Sequence, residues 1–323
     1  MVNRQNMGKK VLVTSRSFGN ISDEPYEILR EAGLEVTKTG LDFDQAEFER
    51  TISDYDALII GAHPFPPEVL ERCDKLQIIC KHGVGLDNIP LEKAKEKDVA
   101  VCNAPGTNSN AVADLAFGMM LDLARKISLA DKKVHQGEWK TVIGVDVCNK
   151  VLGLLGFGAI AKNVARRAKG FGMKVLAYDP YVTCLPEEFA SYVTLCSCDE
   201  VIKNSDFISL HLPLTEETRD MIAAKELSGM RKGAFLVNTS RGGIVNEKDL
   251  YEAVKSGHLG GTAMDVSVVE PMAADNPLRE LDNVIITPHI GMYSTEALGA
   301  VSVLCAQNVA AKLTGKDLKF RVV

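Results

Sequence analysis

The chain has 323 residues, more than one usual hydrophobic core, and this length predicts two domains. A hydrophobic content of 46% with 25% charged residues is typical of a globular protein and excludes an intrinsically disordered one. The formal net charge of −6 argues against a nucleic-acid binder, and neither an apolar signal core nor a run of roughly 18 apolar residues is visible. We therefore expect a cytoplasmic protein that does not bind membranes.

In chain order, short apolar strands alternate with helical patterns, which indicates parallel sheets with helical crossovers. The first such unit is predicted to contain four strands: Lys10–Thr14, Ala57–Ile60, Gln77–Cys80 and Val99–Cys102. Helical patterns separate them, at Glu24–Ala32 and Pro67–Cys73.

A long apolar helix predicted over Asn108–Ala124 leads to a second unit. Its predicted strands are Val151–Leu155, Lys174–Tyr178, Tyr192–Thr194, Asp206–Leu210, Ala234–Asn238, Thr262–Asp265 and Val284–Thr287. A final helix over Thr295–Leu313 is followed by the tail Lys319–Val323, which we expect to return to the first unit. The predicted fold is thus α/β, with a discontinuous substrate domain (1–104 and 292–323) and a nucleotide-binding domain (105–291).

The eight cysteines are scattered and show no Cys-x-x-Cys ligand spacing. They are predicted to be reduced, buried thiols, and no metal site is expected.

The most informative motif lies where the strand Val151–Leu155 runs into Gly156-Phe-Gly158-Ala-Ile-Ala161. Gly156 allows a tight turn, and Gly158 lets the backbone approach a diphosphate without a side chain in the way. The helix that follows would present its first N–H groups, at Ala159 and Ile160, to the phosphates. The motif predicts a dinucleotide cofactor.

Asp179 ends the next strand, about 20 residues after Gly158, where a carboxylate can accept both hydroxyls of an adenine ribose. The same charge would repel the 2′-phosphate of NADP, and Pro180–Cys184 contains no Arg or Lys to receive one. The expected cofactor is therefore NAD.

Three polar residues, Arg241, Glu270 and His289, each follow an apolar strand of the second unit. Ligands bind at the carboxyl ends of parallel strands, so these side chains are predicted to converge. An arginine suits a substrate carboxylate, and a histidine suits proton transfer near neutral pH. Glu270 could pair with His289 and raise its pKa.

With these motifs, the chain resembles the NAD-dependent D-2-hydroxyacid dehydrogenase family, in particular its phosphoglycerate dehydrogenase-like branch. The resembling segments span nearly the whole chain: residues 81–89, 103–114, 153–161, 211–218, 238–243, 265–271 and 288–291. The resemblance implies two Rossmann-like, doubly wound parallel-sheet domains with an active-site cleft between them, and a homodimer whose expected contact is the Asn108–Gln136 region.

The resemblance also implies residue roles. Catalysis is assigned to Arg241, Glu270 and His289, and substrate binding to Lys81, Val84, Gly85 and Arg241. Cofactor binding is assigned to Gly156, Gly158, Ala159, Ile160, Asp179, His211, Leu212, Pro213, Thr218, Thr239, Ser240, Asp265, His289 and Gly291. From the residues alone, Lys81 and His82 are as consistent with solvent exposure as with a substrate site.

The substrate is left open by the sequence. Phosphoglycerate dehydrogenases resembling this chain place a cation after the strand that here ends at Ile60, but this chain has His63, which we expect at the surface. Arg16 is a possible substitute. A small phosphorylated acid therefore competes with glyoxylate or hydroxypyruvate, and an NAD-sensing, corepressor-like binding protein is the alternative from another class.

Overall fold

The structure is a computed structural model that describes residues 8–40 and 42–323. It divides into two compact units. The first comprises the residues up to Asn108 together with Met292–Val323, and the second comprises Ser109–Gly291. The sequence places the corresponding boundary after residue 104.

The first unit is built on a five-stranded parallel sheet with the order β2-β1-β3-β4-β5. Its strands are β1 (Lys10–Val13), β2 (Glu35–Lys38), β3 (Ala57–Ile60), β4 (Ile78–Lys81) and β5 (Ala100–Cys102). Its first four helices are α1 (Glu24–Glu31), α2 (Gln45–Thr51), α3 (Pro67–Glu71) and α4 (Leu91–Glu96). Both faces of the sheet are covered, since Val11 and Val13 pack in one apolar cluster and Leu12 in another.

Strand β2 and helices α2 and α4 are additions to the elements that the sequence predicted. Strand β2 reads Glu-Val-Thr-Lys and lies at the edge of the sheet, with its residues alternately exposed and half-buried. Such an edge strand carries too little apolar character to stand out from a loop.

The end of the chain returns to the first unit. Helix α11 (Thr295–Leu313) packs against α1 and β4. The tail then pairs with β5: the N–H of Val322 donates to the carbonyl of Val101, and Arg321 forms an antiparallel bridge with Cys102. The expected strand addition by the tail is thus a short bridge at a sheet edge.

The second unit contains a seven-stranded parallel sheet with the order β12-β11-β10-β9-β6-β7-β8. The strands are β6 (Val151–Leu155), β7 (Lys174–Tyr178), β8 (Val193–Leu195), β9 (Phe207–Leu210), β10 (Phe235–Asn238), β11 (Gly261–Met264) and β12 (Val284–Ile286). The strand order reverses between β6 and β9, and in an open α/β sheet such a switch point opens the crevice that receives a ligand.

The helices of the second unit are α5 (Ser109–Arg125), α6 (Ile127–His135), α7 (Ala159–Gly170), α8 (Cys198–Asn204), α9 (Ala224–Gly229) and α10 (Glu247–Lys255). The long helix α5 packs against α7, β10 and β11, and its Ala113, Phe117 and Met120 are part of the core.

The cysteines are free thiols, as predicted, but the prediction that they are buried was partly wrong. The cysteines carry free thiols, but Cys148 and Cys184 are exposed, and Cys196 and Cys198 are only half-buried. Within the described ranges, no group of three or more His, Cys, Asp or Glu side chains is placed to hold a metal ion. No helix in that part of the chain is long and apolar enough to cross a membrane.

Candidate active site

The predicted phosphate-binding turn lies at the switch point of the second unit, between the ends of β6 and β9. Gly156 has φ +91°, and a Cβ there would overlap the carbonyl of His211, which directly follows β9. Only glycine therefore fits at this turn.

Gly158 differs from Gly156, because a Cβ there would meet no protein atom within 4 Å. The protein itself thus leaves space beside this backbone. Gly158 is also the N-cap of α7 and has no side chain to cap it, so the first N–H groups of the helix, at Ala159 and Ile160, receive no side-chain acceptor from it. These features fit the diphosphate of a dinucleotide.

Asp179 lies beside the same turn. Its Oδ2 accepts a hydrogen bond of 2.8 Å from the Phe157 N–H, and its Oδ1 accepts one of 2.9 Å from the Tyr181 N–H. The carboxylate is therefore held in place at the end of β7, where the sequence predicts an acceptor for the ribose hydroxyls.

The segment after β9 forms the other wall of the turn. Burial lowers the pKa of His211 to about 3, so this side chain is neutral, and its Nε2 lies 2.9 Å from the Ser209 hydroxyl. Leu212 is buried, and the Thr218 hydroxyl donates to the carbonyl of Pro213 at 2.7 Å. Thr218 thus holds the loop in place, and His211 is a neutral imidazole rather than an imidazolium near neutral pH.

The turn that carries Arg241 is organised by a buried residue that the sequence did not single out. The side chain of Asn238 accepts from the N–H and hydroxyl of Ser240 and donates to the carbonyl of Arg241 at 2.9 Å. An Asn at the end of an apolar strand is the available sequence signal for such a turn. The neighbouring Thr239 hydroxyl is buried and has no partner among the described residues, so it remains available to a ligand.

Gly242 brings the Arg241 turn against the loop that carries Glu270. A Cβ on Gly242 would overlap the carbonyl of Ser267, so a larger residue would push the two loops apart. Glu270 is anchored in its own loop through Oε1, which accepts from the Ser267 N–H at 3.1 Å. The peptide bond between Glu270 and Pro271 is cis.

The loop that carries His289 is held by Asp265, which is 1% exposed. One carboxylate oxygen accepts from the Thr287 hydroxyl and the Ile290 N–H, and the other accepts from the Gly291 N–H at 2.8 Å. The backbone carbonyl of Asp265 also accepts from the His289 N–H at 2.9 Å. These contacts hold His289 at φ +54°, a conformation that costs energy for a residue other than glycine.

His289 and Glu270 form a direct pair, since Nδ1 of the imidazole lies 2.7 Å from Oε2 of the carboxylate. This hydrogen bond raises the pKa of His289 against the opposing effect of burial. Burial would raise the pKa of Glu270, but the bond to His289 and the positive charge of His289 outweigh it and lower that pKa. Arg241 lies near enough to lower both pKa values through its charge. The three predicted residues are therefore brought together within one unit.

Lys81, Val84 and Gly85 lie in the first unit, at the end of β4. The Lys81 ammonium donates to the Gly61 carbonyl and to Asn88, each at 2.7 Å. The carbonyl of Val84 accepts from Asn103 at 2.8 Å. In the part of the chain that the structure describes, the N–H groups of Val84 and Gly85 donate to no protein acceptor, which suits them to bind an anion.

Two histidines of the first unit differ from the expectations. His63 is not a simple surface residue: its ring stacks on Phe43 at 4.1 Å, and Nε2 lies 2.7 Å from the Thr14 hydroxyl. His82 is 4% exposed and does not face solvent. Burial lowers the pKa of each to about 4, so neither is a cation near neutral pH.

Comparison with known proteins gives a family match. The model of the family described as D-isomer specific 2-hydroxyacid dehydrogenase, NAD binding domain, matches residues 117–291. The chain is 39% identical over 310 residues to a D-3-phosphoglycerate dehydrogenase of Methanocaldococcus jannaschii, covering 95% of this chain but 58% of that protein. It is 42% identical over 293 residues to a hydroxypyruvate reductase of Thermotoga maritima, covering 88% of this chain and 93% of that one.

The fold also matches that of a solved structure. The crystal structure of the TT0316 protein from Thermus thermophilus superposes with a TM-score of 0.90 at 34% identity, covering 97% of this chain and 100% of that one. The chain thus spans nearly all of some relatives and little more than half of the phosphoglycerate dehydrogenase.

Proposed function

The chain belongs to the D-isomer specific 2-hydroxyacid dehydrogenase family, and we propose that it transfers a hydride between NAD(H) and a small 2-hydroxy or 2-keto acid. The observation that carries the proposal is the pair of His289 and Glu270, at 2.7 Å, with Arg241 close to both. An imidazole whose pKa is raised by a carboxylate is suited to exchange a proton with a hydroxyl or carbonyl oxygen near neutral pH.

In this proposal the turn of Gly156 and Gly158 would hold the cofactor, which would supply a hydride acceptor as NAD⁺ and a hydride donor as NADH. His289 takes the hydroxyl proton during oxidation, and its protonated form donates that proton to the carbonyl oxygen during reduction. Because Nδ1 is engaged with Glu270, Nε2 is the atom that exchanges the proton with the substrate. Arg241 binds the substrate carboxylate or polarises the developing carbonyl.

The remaining assignments follow the same proposal. The N–H groups of Val84 and Gly85 bind the substrate carboxylate, and Lys81 contributes positive charge at the end of the same strand. The cofactor is held at Gly156, Gly158 and the start of α7, with Asp179 at the ribose. The other residues along the cofactor are His211, Leu212, Pro213, Thr218, Thr239, Ser240, Asp265 and Gly291.

The test is a screen of 2-keto acids with NADH and, in parallel, with NADPH. Turnover is measured as the loss of absorbance of the reduced nicotinamide. We expect turnover with NADH. In His289→Ala, turnover is expected to fall by about 10²- to 10⁴-fold, the usual contribution of a general acid, while NADH still binds. NADH binding without turnover on any acid of the panel would instead indicate a cofactor-sensing binding protein.

We further propose that the protein is a cytoplasmic homodimer. The free thiols are consistent with a reducing compartment. A set of exposed apolar side chains on and just after α6, here called the α6 surface, supports self-association: Ile127, Val134, Trp139, Ile143 and Val145.

A further inference from the structure

We propose that Arg16 is a specificity residue that binds a second anionic group of the substrate, at the end of the substrate away from the reacting carbon. The inference rests on the proposed 2-keto acid reductase activity and narrows its substrate class. It is carried by the way the first unit holds one exposed arginine in a fixed loop.

The loop Ser15–Asn20 directly follows β1 and is connected through one histidine to two other elements. Nδ1 of His82 lies 3.0 Å from the Ser15 hydroxyl and 3.4 Å from that of Ser17. Nε2 of the same ring lies 2.8 Å from the hydroxyl of Ser302 on α11, which also accepts from the Gly19 N–H. A single buried, neutral imidazole thus connects the loop after β1 to the end of β4 and to α11.

Packing and a half-buried lysine, Lys38, add to this anchoring. Phe18 is fully buried and makes edge contacts with the rings of Tyr26, at 5.3 Å, and His82, at 5.8 Å. The Lys38 ammonium donates to the Phe18 carbonyl at 2.8 Å and to the Asn20 side chain at 3.1 Å. The backbone on both sides of Arg16 is therefore fixed.

Arg16 differs from its immediate neighbours, because its side chain is exposed whereas Ser15 and Ser17 are buried. Among the described residues it has no ion-pair or hydrogen-bond partner. A guanidinium presented from a fixed backbone loses little conformational freedom when it binds an anion, and its planar fork matches a phosphate or a carboxylate.

The position of the loop indicates what kind of ligand Arg16 would bind. Strands β1 and β4 are both followed by loops at the carboxyl edge of the sheet, the edge where its parallel strands end, and one strand, β3, lies between them. Two strand spacings amount to about 10 Å. A carboxylate on the N–H groups of Val84 and Gly85 and a second anion on Arg16 would therefore belong to one small molecule.

The other cationic candidates at this edge are less available for that role. Lys38 is bound to the loop itself, Lys81 already donates to Gly61 and Asn88, and His63 is neutral. Arg16 is thus the side chain best placed to recognise a second charge. The inferred substrate is a 2-keto acid with a terminal phosphate or carboxylate.

The experiment compares kcat/KM in NADH-dependent reduction for three kinds of 2-keto acid: phosphohydroxypyruvate, 2-oxoglutarate or oxaloacetate, and the uncharged-tail compounds glyoxylate and hydroxypyruvate. For the wild type, we expect a higher kcat/KM with either the phosphorylated acid or the dicarboxylic acids than with the uncharged-tail compounds. The better of the two identifies the anion that Arg16 binds as phosphate or carboxylate. In Arg16→Ala, kcat/KM for that acid should fall by about 10- to 100-fold through KM, the loss expected for a charge-assisted pair.

For the uncharged-tail acids, Arg16→Ala should change kcat/KM by less than about 2-fold. For the acid with the second anionic group, Arg16→Lys should retain part of the kcat/KM that Arg16→Ala loses. Arg50→Ala is the matched control, because Arg50 is exposed in the last turn of α2, at the opposite edge of the same sheet. This control should behave as the wild type with every acid.

The inference is overturned if kcat/KM of the wild type is no higher for acids with a second anionic group than for the uncharged-tail acids. It is also overturned if Arg16→Ala lowers kcat/KM for every acid by the same factor. Reduction of glyoxylate or hydroxypyruvate would then still support the proposed function. Failure of the wild type to oxidise NADH with any acid would instead contradict the proposed function itself.

Discussion

Asp179 is the residue on which the choice between NAD and NADP depends. Because its carboxylate is fixed by the N–H groups of Phe157 and Tyr181, it cannot easily turn away from a 2′-phosphate. Asp179→Asn keeps the shape of the side chain and removes the charge. We expect the ratio of kcat/KM for NADPH to that for NADH to rise at least about 10-fold, as for the loss of one charged contact.

The matched control for this change is Asp199→Asn, since Asp199 is exposed on α8, where its carboxylate pairs with Lys203. Steady-state kinetics with both cofactors measure the ratio. An unchanged ratio in Asp179→Asn, or a wild type that prefers NADPH, would remove the role given to Asp179.

For individual residues, the sequence predicts which polar side chains follow the ends of strands, and this was enough to single out Arg241, Glu270 and His289. It does not predict the surroundings of His63 or His82. Their partners, Thr14 and Phe43 for one ring and Ser15 and Ser302 for the other, are distant in the chain and meet only in the folded unit.

Among the elements, the loop after β12 depends on one buried carboxylate, that of Asp265. Asp265→Ala would leave the N–H groups of Ile290 and Gly291 and the Thr287 hydroxyl without their acceptor. We expect the free energy of unfolding to fall by about 2–4 kcal/mol, the cost of leaving one buried donor and two partly buried donors without their acceptor. Denaturant unfolding measures the change.

Because the same contacts position His289, we also expect kcat to fall in Asp265→Ala. The matched control is Asp282→Ala, whose carboxylate is exposed and pairs with Lys132 at 3.3 Å. That change should alter stability by less than about 0.5 kcal/mol. Equal unfolding midpoints for the two variants would show that Asp265 does not hold the loop.

The elements themselves were predictable where apolar runs are continuous, as in β6 and β10, whose residues are almost all buried on both faces. Prediction failed for β2, because its register is set by the neighbouring β1 rather than by its own composition. It also left out α6: the predicted helix ends at Ala124, close to the end of α5, whereas the structure begins a further helix at Ile127, after Lys126 at φ +55°.

For the whole molecule, the α6 surface is the feature that bears on assembly. Trp139 is 91% exposed and Ile143 83% exposed, an arrangement that is unfavourable for a monomer in water. We expect sedimentation analysis to show a dimer for the wild type and a monomer for Ile143→Glu, because a charge buried in an apolar interface without a partner is costly.

Tyr181→Glu is the control for that experiment, since Tyr181 is 91% exposed but lies outside the α6 surface. It should leave the mass unchanged. A wild type that remains monomeric at all concentrations, or an Ile143→Glu variant that still dimerises, would contradict the proposed assembly. The family resemblance implies a contact over Asn108–Gln136, which contains Ile127 and Val134. It does not reach Trp139, Ile143 or Val145, because exposure is a property of the folded chain.

The most direct test of the account is the pH dependence of kcat/KM for NADH-dependent reduction, compared between the wild type and Glu270→Gln. Reduction needs protonated His289, so the rate should be constant at low pH and fall as the pH rises through the pKa of His289, which Glu270 raises above 6.5. In Glu270→Gln the fall should begin at a lower pH, because burial still disfavours the imidazolium and the carboxylate no longer stabilises it. The same fall at the same pH in both proteins would show that the pair does not control the proton that the reaction needs.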